Sequence, residues 1–126
     1  MTTPEPFPDV EDLLCDFFDD LAETATRSDI NLQQKLPLIV VVRRGGPTGR
    51  YNDEPRLDID TFAPTRAQAR ELAVAVQQRL IPGPVRLDGA VLDRVTNPSG
   101  PFELPYADDT VRRFTASYGA VLRRPR

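Results

Sequence analysis

Asp58 and Asp60 stand two apart in a stretch whose apolar residues alternate with them, so both carboxylates fall on one face of a strand. Paired strand carboxylates are one way to hold a divalent metal for hydrolysis. Such sites add a third acid and a nearby lysine, and the only lysine, Lys35, lies in a separate polar stretch, so the pair reads as a solvated strand face. Gly45, Gly46 and Gly49 with Thr48 and Arg50 invite comparison with a phosphate-cradling loop, but the glycine spacing is wrong and no lysine follows; a hairpin tip explains them better. Cys15 has neither a histidine nor a basic neighbour in sequence to make it a thiolate, and reads as an inert core-edge residue. Arg43, Arg44 and Arg50 with Tyr51 mix guanidinium and aromatic character, which suits stacking on RNA and suits protein contact equally. Histidine is absent. The commonest general base and metal ligand is therefore missing, which weighs against hydrolases, metalloenzymes and pH switches and leaves no catalytic residue, metal or cofactor to nominate.

The composition sets the frame for those residues. At 126 residues with 40% apolar content the chain fits one compact domain, residues 1–126, large enough to fold without a metal or disulfide. The single cysteine cannot form an internal bridge, which points to a reducing compartment or to a chain that does not use disulfides, with synthesis in the cytoplasm as the plain reading. No apolar run approaches the roughly 18 residues that span a bilayer, and the acidic N-terminal stretch lacks the positive start of a secretory signal, so neither membrane insertion nor export is expected. A net charge of −3 argues against nucleic-acid specificity. Charge is uneven, however: residues 1–63 hold 13 acids and 6 bases, the remainder 6 acids and 10 bases. Such a split suits charge-complementary contact between copies.

Periodicity supplies the elements. Val10, Leu13, Leu14, Phe17, Phe18 and Leu21 recur at helical spacing and predict an amphipathic helix from Pro8 to Glu23, with an acidic opposite face. Asp16, Asp19, Asp20 and Glu23 continue the acid run toward the C-terminal end, where the helix dipole disfavours them, so a basic partner is expected. A short strand is placed at Thr26–Ile30. The β-branched run Leu38–Val42 predicts a strand covered on both faces, and Arg56–Phe62 a second, the two forming a hairpin. Thr65 with Gln68 makes a capping box for a helix whose stripe is Ala69, Leu72, Ala73, Val76 and Leu80, ended by Pro82 and Gly83. Val85–Val95 reads as one strand interrupted by Gly89, Asn97–Gly100 as a type I turn leading into a loop through Tyr106, and Thr110–Arg124 as a long strand by strict alternation. The sum is an α+β domain, one mostly antiparallel sheet of four to five strands with two helices on one face, and Val40, Leu72 and Phe114 in the core.

The order of segments resembles a known family. Phe7-Pro8-Asp9-Val10-Glu11, the strand Leu38–Arg44 running into Gly45-Gly46, Asn52 through Phe62, and Ala63-Pro64-Thr65-Arg66 are similar to tail-terminator proteins of long-tailed actinobacteriophages, which match the phage lambda tail terminator in role. Gly89 through Val95, Gly100-Pro101, Leu104-Pro105-Tyr106, Val111 through Phe114 and the ending Arg123-Arg124-Pro125 extend the likeness to residues 7–125. The resemblance implies a structural virion protein, with no catalytic chemistry. It would form a homohexameric ring at the head-proximal end of the tail, bind the tail tube protein, stop its polymerisation and meet the head-to-tail connector protein. A neighbouring connector component is the alternative. The expected contact segments are the Arg43–Glu54 hairpin and the Asn97–Tyr106 loop, both mobile in the isolated subunit, with Arg43, Arg44, Arg50, Tyr51, Phe102 and Tyr106 as interface residues because arginine and aromatics dominate binding hot spots.

Overall fold

The computed structural model describes residues 6–27 and 32–125. Helix α1 (Val10–Phe17) starts where the Asp9 side chain accepts a hydrogen bond from the Glu11 amide, satisfying one of the unpaired amides of the first turn. It is half the length expected from Pro8–Glu23. The chain leaves the helix after Phe18, where the expected C-terminal turns would have put Asp19 and Asp20 against the negative end of the dipole. Strand β1 (Glu23–Ala25) follows at once, a few residues before the expected Thr26–Ile30, of which residues 28–30 lie outside the described residues.

Strands β2 (Leu38–Arg43) and β3 (Arg56–Ala63) form the expected antiparallel hairpin. Helix α2 (Arg66–Leu80) begins as predicted, with Thr65 Oγ1 accepting from the Gln68 amide. The expected single strand Val85–Val95 is instead two, β4 (Val85–Leu87) and the start of β5 (Ala90–Glu103), turned back on each other at Asp88-Gly89, where Gly89 takes φ +83°. An Asp-Gly dipeptide between apolar runs favours such a two-residue turn, because glycine adopts the positive φ without strain.

Nor is Asn97–Gly100 a free turn: β5 runs through it, with register shifts either side of Ser99. Pro98 and Pro101 are tolerated within β5 because β4 covers only residues 90–92 of it, leaving the rest as an edge. The Asn97 side chain donates to the Ser99 and Ser117 carbonyls where the ladder is irregular. Strand β6 (Arg112–Arg123) completes one six-stranded sheet, ordered β1-β2-β3-β6-β5-β4, antiparallel except for the parallel β1–β2 pair.

Both helices cover the same face, as expected. Val10 and Leu14 of α1, Phe18 just past its end, and Val76 and Leu80 of α2 share one core with Ile39, Ile59, Tyr118 and Leu122. Since α1 touches β1 and β2 near one edge and β4 at the other, the sheet curls around the helical layer. On the opposite face Leu38, Val40, Phe62 and Val111 form a smaller core under Leu32 and Tyr106. Hence β2 is buried on both faces, which is why its apolar run is continuous.

Val40 and Phe114 are buried as expected, whereas Leu72 is only half-buried. It lies at the margin of the helical stripe, one position from Ala73, and lines an open groove with Pro37, Pro64 and Ala75. Leu72→Ala is therefore expected to cost about 1 kcal/mol in chemical denaturation, below the roughly 2–5 kcal/mol of a fully buried leucine. A loss inside that higher range would show that the groove is closed in solution.

Candidate interaction surface

The loop between β2 and β3 is built around one carboxylate. Asp53 is 2% exposed, and its own amide and carbonyl pair with Leu122, so the returning limb of the loop continues the sheet alongside β6. Its carboxylate accepts from Arg43 Nη1 at 2.6 Å and Nη2 at 2.7 Å and from Thr48 Oγ1 at 2.7 Å. Arg43 further donates to the carbonyls of Gly45 and Gly46. Burial pushes the Asp53 carboxyl up, but these hydrogen bonds and the Arg43 charge outweigh it and hold the group below the usual carboxylate range. The same pairing raises the Arg43 guanidinium.

Hydrogen bonds thus tie the base of the loop together from within. At its tip Tyr51 is 75% exposed, with the Arg50 guanidinium 5.7 Å from its ring. The ring thus stands in solvent at the end of a loop whose base is pinned by Asp53.

Of the six residues nominated from sequence, Arg43, Arg44, Arg50 and Tyr51 come together on this hairpin, but their roles divide. Arg43 is a staple of the loop. Arg44 pairs with Asp58 at 3.0 Å on the surface. Phe102 is 48% exposed on β5, opposite Thr115 of β6. Tyr106 is half-buried, edge-on to Phe62 with ring centres 5.5 Å apart and with the Arg113 guanidinium 5.3 Å from its ring. Arg50 with Tyr51, and Phe102 with Tyr106, lie toward opposite ends of β6, separated by the seven residue steps from Leu122 to Thr115, about 23 Å of strand. The surface has two ends, not one patch.

The carboxylates considered for metal are engaged elsewhere. Asp58 binds Arg44, and Asp60, raised by burial, sits 4.0 Å from Arg113. Among the described residues no group of three or more histidine, cysteine or acidic side chains is placed to hold a metal. Cys15 donates to the Ala25 carbonyl at 3.6 Å, and burial raises its thiol, the opposite of activation. The expected basic partner of the acid run exists for Asp20 and is internal: Arg79 of α2 grips it through two bonds of 2.7 and 2.6 Å. Among the described residues no helix is long and apolar enough to cross a membrane.

Sequence alone does not single out Asp53, because an acid in a polar, glycine-rich loop carries no sign of burial. Nor does it show the groove beside α2, because an apolar residue at the edge of a stripe looks like core.

Comparison with known proteins places the fold. No family model and no curated protein matches the chain. Among solved structures, a chain of the virion of a native gene transfer agent particle shares the fold with a TM-score of 0.54 at 13% identity, the match covering 79% of this chain and 78% of that one.

Proposed function

We propose that this chain is a structural virion protein that forms a ring, hexameric by its family resemblance, at the head-proximal end of a long phage tail, ends tube polymerisation and joins the tube to the head connector. The observation that carries the reading is the placement of exposed aromatic and arginine side chains toward opposite ends of β6, with the loop that bears Tyr51 pinned at its base by Asp53. A protein between two assembled layers needs a contact surface toward each. The fold shared with a virion chain over nearly four-fifths of both lengths supports the same reading, and so does the order of segments that resembles tail terminators.

Electron microscopy of particles assembled without this chain tests it. Abnormally long tails are expected. Tails of normal length detached from full heads would replace the terminator by a connector role, and intact particles would exclude both.

A further inference from the structure

The longest strand of the sheet is also poorly covered along one side. β5 runs for 14 residues, yet β4 pairs only with Ala90, Val91 and Leu92. Beyond them the Val95 amide donates to the Pro82 carbonyl at 3.2 Å, and Asn97 Oδ1 accepts from Gln77 Nε2 at 2.7 Å. From Pro98 to Glu103, no strand among the described residues lies along the side of β5 away from β6.

A bare strand edge is a template on which another chain can add a strand through main-chain hydrogen bonds. Such addition needs amide donors in phase along a regular edge. Here both requirements fail at the same places. Pro98 and Pro101 carry no amide hydrogen. The ladder to β6 shifts register between Thr96 and Ser99 and again between Ser99 and Phe102, so each shift contains one of the two prolines. An irregular ladder bends and twists the strand, which turns its edge away from a flat partner. The opposite edge of the sheet, β1, is blunted more simply, because it has only three residues.

We propose that Pro98 and Pro101 close the edge of β5 to strand addition by a second copy of this chain. Without them the open run would pair with itself, since an edge laid antiparallel to its own copy meets the same residues across a two-fold axis and gives a closed dimer. β1 offers no run of matching length. The inference stands independently of the ring reading, although a guarded edge suits a subunit that ends growth, because strand addition at a bare edge is itself a route to aggregation.

Replacing both prolines in the full chain, Pro98→Thr with Pro101→Thr, tests the guard. Threonine restores the two donors and favours extended backbone without adding apolar surface. In sedimentation the double variant is expected to self-associate about tenfold more tightly than the native chain, or more, with a dimer as the first species. Hydrogen exchange should show the amides of residues 98–103 protected in that dimer and exposed again on dilution. Each single variant should fall between the native chain and the double variant, and carries the test if the double variant does not fold. Association no tighter than native in a variant whose circular dichroism spectrum is unchanged would overturn the proposal, and so would association that leaves those amides unprotected. Neither result alters the tail-length experiment, so the ring reading is tested separately.

Discussion

Asp53→Ala is expected to lower folding stability by about 3 kcal/mol at neutral pH, because it strips the β2–β3 loop of its anchor and leaves Arg43 facing an empty site. The figure follows from where the pair sits. Removing one partner of a fully buried ion pair costs roughly 3–5 kcal/mol, whereas an exposed pair is worth at most about 1. Here the carboxylate side chain is 2% exposed and the guanidinium 26%, so the value falls toward the lower end of the buried range. Asp53→Asn keeps the shape but loses the charge and one acceptor, and should recover only part of the loss.

The pH dependence has a definite sign. The folded-state carboxyl is held below its ordinary value, so its contribution is fully present above pH ~4 and is lost as pH falls through the folded value. Asp60 works the other way: burial raises its carboxyl, so acidification toward the ordinary carboxylate range favours the fold at that site. Asp60 is common to both proteins, however, and cancels from their difference. Urea denaturation of the native chain and of Asp53→Ala at pH 7 and pH 3 should therefore show a gap that narrows in acid. A gap of constant size would mean that the aspartate acts through loop shape alone.

Much of this fold is legible in the sequence because local chemistry and tertiary demand agree. Thr65 caps α2 in the structure because the same hydroxyl satisfies an amide in any context. Phe114 through Leu122 alternate because one face of β6 is buried beneath two helices. Expectation and structure part where tertiary pairing decides. Three residues, Glu23–Ala25, become a strand because β2 offers them a parallel partner. Pro98 and Pro101 sit in a strand because β4 is too short to demand their missing amides.

The interface residues divide for the same reason. Composition identifies arginine and aromatic side chains as adhesive, but only the fold shows that Asp53 occupies Arg43 and that Phe62 packs against Tyr106, while Tyr51 and Phe102 stay exposed.

Gly46→Ala should be at least as damaging as the loss of Asp53, at about 3–4 kcal/mol, though it removes no contact at all. Gly46 takes φ +98°, and a Cβ placed on it would overlap the carbonyl oxygen of Glu54 and lie 3.0 Å from the Arg56 amide. Those atoms belong to the opposing limb of the loop, which is held close by Arg56 N donating to Gly45 O at 3.0 Å and Glu54 N to Pro47 O at 2.9 Å. An L side chain at such a φ costs roughly 1–3 kcal/mol. Relieving the overlap requires the limbs to part, sacrificing hydrogen bonds worth roughly 0.5–1.5 kcal/mol each. Gly45 provides the control, since it has φ +105° but nothing within 4 Å of where a methyl group would stand, so Gly45→Ala bears the torsional part alone, about 1–2 kcal/mol. The difference between the two denaturation midpoints thus measures the pressure between the limbs. Equal losses would show that the backbone angle, not the close approach, makes glycine necessary at Gly46. If the approach is what matters, Gly46→Ala also releases the Tyr51 tip from its brace, and the proposed role in ending tail-tube growth predicts that tail-length control fails in that variant at temperatures where the rest of the domain is still folded.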